Sequence, residues 1–494
     1  MPSTRRLLAL LPSFGVAFAL AAASPAQGAP TTKAARAKPP NFVFVQFEAT
    51  GIGWSSTSVA MDDRRPDAKS APERTPHLAA LAAQGMRLSS FYVTAPRCTP
   101  ARASFLTGVG AAKLHMTYVS EGGQERRGGE DAAGGRRGGQ VGGRDAAADA
   151  ATTKLIPPAC TTELPAETTT IAEVLRGAGY RSAHFGKWHV GRATPAAHGF
   201  DEHDGANSNQ GPGRDPQPNP EQGTMITDRG LAFAKAQAAA GTPFYLQLSH
   251  YGGGSEDESR PESRQALAAE LRGLRGKSAW QVAILHDLDR ELGRLLAGLA
   301  ELGLADRTYV IVSCDHGASG RAANAPLRGG KGSVLEGGVR VPFVVRGPGV
   351  AAGACSHVRA SACDLLPTLA DLAGIAAWPT DVEGGSLAAV WRGGGAGSVR
   401  RPREEFVVHF PHYDLQNGGP ASAIYRDEWK LIRSYETGAV QLFDLDADPE
   451  ERVDRAAAKP KVVSDLTRRL DAYLQAIDAG MPRPAATAPP AGGK

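Results

Sequence analysis

The chain has 494 residues, enough for a large domain and a smaller one. Hydrophobic residues make up 42% of it and charged residues 21%, as in ordinary soluble globular proteins. The formal net charge of +4 at pH 7 is too small for this length to indicate binding to a polyanion.

The first 29 residues have the layout of a secretory signal peptide. Arg5 and Arg6 give a basic start, an apolar run follows, and small residues close it near Ala23–Ala29. The run approaches the roughly 20 residues that span a bilayer, so a permanent membrane anchor is the alternative. Proline, serine and glycine interrupt the run. We therefore expect an exported protein, periplasmic or extracellular, without stable membrane insertion.

Between residues 38 and 395, apolar β-rich runs alternate with helical patterns. Helices are predicted near 75–88, 168–180, 228–241 and 278–303, and strands in NFVFVQF, RSAHFG, PFYLQLSHY, RTYVIVSCDHG and VRVPFVVRG. This alternation predicts an α/β fold, with a large, mostly parallel sheet sandwiched by helices. Ligands in such sheets bind beyond the carboxyl ends of the strands, where EATG, GKWH and DHG fall.

Three other segments differ from this pattern. Residues 121–151 are Gly-rich and charged, which predicts a flexible insertion; the RRGG pieces lack aromatic partners for bases, so no nucleic acid is expected. Residues 396–480 read as strands separated by turns and one amphipathic helix, which predicts a smaller C-terminal antiparallel-sheet subdomain. Residues 481–494 are predicted to be a disordered tail.

The cysteines do not form a disulfide framework, because there are five of them and the number is odd: Cys98, Cys160, Cys314, Cys355 and Cys363. Cys355 and Cys363 are close enough in sequence to pair, but spacing alone does not decide it. Cys314 ends an apolar run and is expected to be buried. Cys98, in CTPARASFLTG, needs another explanation.

The CxPxR pattern of Cys98, Pro100 and Arg102, followed by LTG, resembles the signature of the sulfatase family. Segments similar to that family follow in order along almost the whole mature chain: PNFVFV (40–45), TPHLAALAAQGMRL (75–88), GYRSAHFGKWHVG (179–191), PLRGGKGSVLEGGVRVPFVVRGPG (326–349) and WKLIRSYETGAVQLFDLDADPEE (429–451). The resemblance implies an alkaline-phosphatase-like fold.

The resemblance also implies that Cys98 is oxidised to formylglycine (3-oxoalanine) by a maturation enzyme and that Arg102 holds it in place. Hydrated to a geminal diol, this residue offers one hydroxyl to attack sulfur and a second that expels sulfate as the aldehyde re-forms. A sulfate ester also needs fixed cations around sulfur. The resemblance assigns sulfate binding to Lys187 and Lys331 and proton removal from the diol to His189. Lys331 does not belong to a nucleotide P-loop, because Gly332 replaces the Ser or Thr.

The resemblance further implies one divalent cation, held by Glu48, Cys98, Asp315 and His316. Most sulfatases have two aspartates after the first strand, whereas this chain has Glu48 and Ala49, and many have Asn where His316 stands. Calcium is expected from the family. The nitrogen ligand and the missing carboxylate make manganese, magnesium or zinc the alternatives.

A second departure concerns the acid that assists the leaving group. Relatives often continue SHYxxH, whereas this chain has SHYGGGS, with Gly254 at the place of the second histidine. His250 is a candidate for the catalytic role. Adjacent strand residues face opposite ways, so its direction is open, and a structural histidine is the alternative.

The sequence therefore predicts a sulfatase that acts on a sulfated small molecule, sugar or glycan. A formylglycine-dependent phosphonate or phosphodiester hydrolase is one alternative, because Asp-His pairs also occur in those enzymes. The other is a degenerate, non-catalytic binder of sulfated glycans, suggested by Ala49 and Gly254.

Overall fold

The structure, a computed structural model, describes residues 38–48, 57–66, 68–69, 74–119, 153–208, 221–252, 258–272, 277–319, 324–414 and 419–485. The predicted signal peptide, the Gly-rich insertion, Ala49 and Gly254 lie outside the described residues. The chain divides into two units, Met1–Lys38 and Pro39–Lys494, and every element below belongs to the second.

The strands are β1 (Asn41–Phe47), β2 (Met86–Leu88), β3 (Phe91–Tyr92), β4 (Leu155–Ile156), β5 (Arg181–Gly186), β6 (Glu202–His203), β7 (Phe244–His250), β8 (Thr308–Cys314), β9 (Phe343–Arg346), β10 (Ala354–Ser356), β11 (Ala360–Ser361), β12 (Phe406–Phe410), β13 (Ala421–Arg426), β14 (Trp429–Ser434), β15 (Val440–Asp444) and β16 (Arg483–Pro484).

The α-helices are α1 (Pro76–Gln84), α2 (Cys98–Thr107), α3 (Ile171–Arg176), α4 (Glu221–Ala240), α5 (Pro261–Ala266), α6 (Ala268–Leu271), α7 (Lys277–Glu301), α8 (Glu336–Val339), α9 (Leu365–Leu372), α10 (Ala388–Arg392) and α11 (Pro460–Ala476). Short 3-10 turns lie at Pro195–His198, Ala305–Arg307 and Ala362–Asp364.

Eight strands form the central sheet, in the order β10-β2-β9-β8-β1-β7-β5-β6. The five strands from β8 to β6 are mutually parallel, β9 is antiparallel to both its neighbours, and β10 is parallel to β2. Every residue of β1, β7 and β8 is buried, as expected for parallel strands covered on both faces. The predicted α/β fold is confirmed.

The predicted C-terminal antiparallel sheet is also confirmed. Strands β12 to β15 form a four-stranded meander, and Leu466, Leu470 and Tyr473 of α11, spaced at i, i+4 and i+7, pack against it. The predicted disordered tail, residues 481–494, contains one short strand: Arg483–Pro484 pair with Leu155–Ile156 as β16 and β4. Residues 486–494 lie outside the described residues.

Cys355 and Cys363, whose pairing the sequence left open, both carry free thiols, and Cys314 is buried as expected. Among the helices of the described segments, none combines the length and the apolar character that crossing a bilayer requires.

A buried ion cluster joins the start of α8 to the C-terminal sheet. Lys430 of β14 reaches Glu336 Oε1 at 3.0 Å and Glu451 Oε1 at 2.7 Å, and all three side chains are fully buried. The backbone N–H of Glu336 donates to Glu451 Oε2 at 2.8 Å, and Tyr92 donates its hydroxyl to Glu336 Oε2 at 2.8 Å.

Lys430 lies between two carboxyl groups whose pKa values shift in opposite directions. Burial raises the pKa of Glu451 to about 7, although Lys430 acts in the opposite direction. Burial also acts to raise the pKa of Glu336, but Lys430 and Arg340 outweigh it and lower that pKa below its usual value. Glu451 is therefore the more readily protonated of the two carboxyl groups, and Glu336 is the ionised partner of Lys430.

Replacing Lys430 by Met should lower the free energy of unfolding by about 3–5 kcal/mol, because Glu336 would become a buried carboxylate without its ammonium partner. Urea unfolding measures the change. The exposed Lys461→Met on α11 is the matched control and should stay within about 0.5 kcal/mol of the native protein. Equal stability of the two variants would contradict the structural role of this cluster.

Candidate active site

The predicted site residues converge at one edge of the central sheet. Glu48 directly follows β1, Lys187 follows β5, and Asp315 and His316 follow β8. Because β8, β1, β7 and β5 are adjacent and parallel, their carboxyl ends meet at this edge. Cys98, the first residue of α2, lies over the same edge.

Cys98 is buried among nitrogen groups. Its Sγ lies 3.1 Å from His316 Nε2, 3.7 Å from Lys187 Nζ and 3.8 Å from Lys331 Nζ, and His189 makes a further side-chain hydrogen bond to it. Burial acts to raise the pKa of the Cys98 thiol, but Lys187 and Lys331 outweigh it and hold that pKa well below its ordinary value. The position therefore stabilises negative charge.

Arg102 orients the Asp315 carboxylate. Its Nε and Nη2 both donate to Asp315 Oδ2, at 3.1 and 2.9 Å, and its Nη1 donates to the backbone carbonyl of Lys187 at 2.8 Å. Arg102 lies one helical turn after Cys98 on α2 and is itself buried. It thus joins the ends of β8 and β5 to the helix that carries Cys98.

The segment after β5 is held by its backbone. Gly186 has φ +93°, and a Cβ there would lie 2.1 Å from the Ser249 carbonyl oxygen, so only glycine lets β5 approach β7 this closely. Lys187 N–H donates to the same carbonyl at 2.8 Å. The N–H groups of Trp188 and His189 donate to the side-chain and backbone oxygens of Asn207, at 2.7 and 2.9 Å.

Lys331 lies on a loop that two backbone hydrogen bonds hold in place. Its N–H donates to the Ala318 carbonyl at 3.1 Å, and Gly332 N–H donates to the Pro96 carbonyl at 2.8 Å. Gly332 has φ +84° and packs so closely on Asp414 that a Cβ would lie 2.3 Å from its Cγ. Asp414 in turn accepts from Arg97 Nε at 2.6 Å, next to Cys98.

Glu48 pairs with Lys187. Its Oε1 accepts from Lys187 Nζ at 2.5 Å, and its Oε2 accepts from Gly252 N–H at 3.2 Å. Burial acts to raise the pKa of Glu48, but Lys187 and Lys331 outweigh it and hold that pKa at about 2. Glu48 therefore neutralises Lys187 and lies outside the group of ligand atoms around Cys98.

Three of the four predicted metal ligands do cluster. The ligand atoms of Cys98, Asp315 and His316 all lie within 4.8 Å of one another, and the three residues are buried. His316 Nδ1 lies 2.9 Å from the Gly317 carbonyl, which can only accept, so the ring hydrogen sits there and Nε2 presents its lone pair towards Cys98. Asp315 Oδ1 is 3.7 Å from the same Nε2.

This donor set fits a divalent cation. It combines the Asp315 carboxylate and the His316 imidazole with the Cys98 side chain. An imidazole oriented by a backbone carbonyl is the usual arrangement of a metal-ligating histidine.

His250 is not brought into the cluster. It pairs in register with Phe47, and the two rings meet at 5.8 Å on the face of the sheet that carries α4, where His250 Nε2 lies 3.3 Å from Thr227 Oγ1. Glu48, the residue after Phe47, points to the opposite face because side chains alternate along a strand. Burial lowers the pKa of His250 to about 4, so it stays neutral. The predicted catalytic role is not supported by this placement.

The sequence analysis missed Asn207 and Asp414, which position Trp188, His189 and the Lys331 loop. Neither belongs to a local motif: Asn207 bonds Trp188, 19 positions away, and Asp414 bonds Arg97, 317 positions away. The one local signal was the pattern of glycines. The Ser249 carbonyl lies too close to Gly186 for a side chain there, and the Asp414 carboxylate lies too close to Gly332.

Comparison with known proteins identifies the family. The family model Sulfatase matches residues 40–375, and a second model, N-sulphoglucosamine sulphohydrolase, C-terminal, matches residues 330–478. The first match covers more than half of the chain. The chain therefore belongs to the sulfatase family, as the sequence predicted.

Named relatives agree with this assignment. Arylsulfatase A of Homo sapiens is 29% identical over 80% of this chain and 76% of its own length. Steryl-sulfatase of Mus musculus is 29% identical over 84% of this chain and 74% of its own. N-acetylgalactosamine-6-sulfatase of Mus musculus is 28% identical over 68% of this chain, and the match spans 63% of that relative.

Solved structures show the same fold at low identity. Ps i-CgsB, in complex with k-i-k-neocarrahexaose, has a TM-score of 0.68 at 20% identity, covering 88% of this chain and 92% of that one. A protein in complex with its substrate D-glucosamine-2-N,6-O-disulfate has a TM-score of 0.61 at 19% identity, covering 89% and 98%.

Replacing Gly186 by Ala should displace Lys187, because the new Cβ meets the Ser249 carbonyl at 2.1 Å and the backbone has a positive φ. We expect a loss of more than about 3 kcal/mol of stability, combining the backbone penalty with the clash, and a fall in kcat/KM on aryl sulfate. Gly179→Ala is the matched control, since φ there is +83° but no atom lies within 4 Å.

The control should therefore lose only about 1–2 kcal/mol, the cost of the left-handed backbone, and keep its activity. Thermal unfolding and steady-state kinetics on both variants measure the difference. If the two variants behave alike, the close approach of β5 to β7 does not position Lys187.

Proposed function

We propose that this chain hydrolyses a sulfate ester carried by a sulfated sugar or glycan, using a formylglycine derived from Cys98 and one divalent cation. The observation that carries the proposal is the burial of Cys98 at the start of α2, with Lys187, Lys331 and His316 within 3.8 Å of its sulfur. The sugar is inferred from two similar proteins: a relative named N-acetylgalactosamine-6-sulfatase, and a protein of the same fold solved in complex with D-glucosamine-2-N,6-O-disulfate.

The residues around Cys98 suit transfer at sulfur. Formylglycine, as its hydrate, supplies a hydroxyl nucleophile and a second hydroxyl through which sulfate can be released. Lys187 and Lys331 lie 3.7 and 3.8 Å from the Cys98 sulfur, so both ammonium groups reach a sulfate bound against this position. Fixed cations of this kind stabilise charge on the sulfate oxygens without reorganising during the reaction.

His189 contacts the side chain at position 98, from which a hydroxyl proton has to be removed in the proposed reaction. It hydrogen-bonds to the Cys98 side chain, and its ring is presented by a backbone held at φ +56° with its N–H bonded to Asn207. This geometry lets His189 take the proton from a hydroxyl at position 98. Arg102 keeps Asp315 oriented throughout, because two of its N–H groups bond the same carboxylate oxygen.

Asp315 and His316 would hold the divalent cation, together with the oxidised side chain at position 98. The cation would supply Lewis-acid polarisation of a sulfate oxygen. Export, suggested by the layout of residues 1–29, and maturation of Cys98 by a formylglycine-generating enzyme are parts of the same proposal.

The mass of the tryptic peptide Cys98–Arg102, from protein made in its own host, tests the modification. We expect the mass of the formylglycine form. We also expect Cys98→Ala to lose sulfate release by roughly 10⁴-fold or more, as when other hydrolases lose their nucleophile. Cys160→Ala, a half-buried cysteine away from the site, should keep full activity.

Matched aryl sulfate and aryl phosphate esters separate the alternatives. A higher kcat/KM on the phosphate ester would favour the phosphodiester or phosphonate hydrolase. An unmodified thiol together with no turnover of either ester would favour the sulfated-glycan binder. Sulfate release that persists in Cys98→Ala would sink the mechanism.

The His316→Asn variant tests the metal site. After removal of the metal with a chelator, native activity should be lost and then restored by added cations. Because an amide oxygen replaces an imidazole nitrogen, we expect the ratio of activity with Ca²⁺ to activity with Zn²⁺ or Mn²⁺ to rise by about ten-fold. The exposed His115→Asn should keep the native ratio. An unchanged ratio in His316→Asn would show that this residue does not bind the cation.

A further inference from the structure

A second group of metal-ligand side chains lies at the far edge of the central sheet. Cys355 is in the edge strand β10 and His357 directly follows that strand, while Asp63 comes from the loop of residues 57–66. Their ligand atoms lie within 4.8 Å of one another. Asp63 and His357 are exposed and Cys355 is half-buried, so the group is open to solvent.

The hydrogen bonds of His357 determine which of its ring nitrogens can bind a metal. The Ser89 hydroxyl oxygen lies 3.2 Å from the Ser356 carbonyl, to which it can donate its one hydrogen, and 2.7 Å from His357 Nδ1. When the hydroxyl donates to the Ser356 carbonyl, Ser89 Oγ accepts from His357 Nδ1 and the hydrogen of the neutral ring lies on Nδ1. Nε2 of the neutral ring then presents its lone pair to Asp63.

The lone pair of His357 Nε2 faces a second acceptor, the Asp63 carboxylate. His357 Nε2 lies 2.9 Å from Asp63 Oδ1, and two acceptors this close need a proton or a cation between them. Cys355 adds a third donor beside the pair. A thiolate sulfur, an imidazole nitrogen and a carboxylate oxygen on three side chains are ligands typical of zinc.

We propose that Asp63, Cys355 and His357 bind a divalent transition metal of the zinc type, separate from the cation beside Cys98. Binding replaces the thiol proton of Cys355, which is released to solvent, and leaves one of four tetrahedral positions for water or another ligand. Ser89 is the positioning residue, because it orients the imidazole through Nδ1.

This group is distinct from the candidate active site. In the sheet, β10 is four strands away from β1, which is about 19 Å at the usual spacing between strands. The proposal therefore does not depend on the sulfatase reaction, and its test can be separated from activity.

Cobalt, a spectroscopic substitute for zinc, provides the test. The background is reduced Cys98→Ala protein, which removes the active-site thiol. Titration with Co²⁺ should produce a near-ultraviolet thiolate-to-cobalt absorption that saturates at one equivalent and is removed by Zn²⁺. Adding Cys355→Ser should abolish that absorption, and adding His357→Ala should weaken Zn²⁺ binding at least about ten-fold.

Cys160→Ser in the same background is the matched control and should keep the absorption. Cys355→Ser on its own should turn over aryl sulfate at the native rate, which shows that the fold and the active site are intact. Absence of the absorption in the Cys98→Ala protein, or its persistence after Cys355→Ser, would overturn the proposal.

Discussion

The active site depends on keeping cations buried beside one small side chain. Lys187 and Arg102 are almost completely shielded from solvent, and each is held by a carboxylate: Glu48 for the lysine and Asp315 for the arginine. A buried charge without a partner would cost several kcal/mol. The carboxylates therefore do more than balance charge; they allow fixed ammonium and guanidinium groups to be present before any substrate arrives.

The sheet supplies the precision that this arrangement needs. Glu48 and Asp315 follow adjacent parallel strands whose registers are locked by Phe47 opposite Cys314, so the two carboxylates cannot shift independently. Lys331 lies on a loop instead, and that loop continues into α8, where Glu336 is bound by Lys430 of the C-terminal sheet. The smaller sheet thus helps to position the one site lysine that the central strands do not carry.

The sequence predicted the sheet well, because long buried strands such as β1 and β8 consist mainly of consecutive apolar residues. It also predicted that Glu48, Lys187 and Asp315 lie close together. The carboxyl ends of parallel strands meet at one edge of the sheet whatever their exact register. It could not decide the direction of His250, because alternation along β7 allows either face and the choice depends on register with β1. It could not show that Glu48 pairs with Lys187, because the two residues are far apart in sequence.

The balance of charge bears on the reaction that the site favours. Among the charged residues that contact one another around Cys98, the cations are Lys187, Lys331 and Arg102, and the carboxylates are Glu48 and Asp315. This excess of positive charge is fixed. A sulfate monoester enters with one negative charge and leaves as a dianion, so its charge grows as the reaction proceeds and the fixed cations act more strongly on the later state.

A phosphate monoester would already carry most of that charge when it binds. The same cations would then stabilise the bound ester and its transition state more equally, which tightens binding without an equal gain in rate. Catalysis requires interactions that grow during the reaction. On electrostatic grounds alone, this arrangement favours turnover of the less charged ester, which is the sulfate.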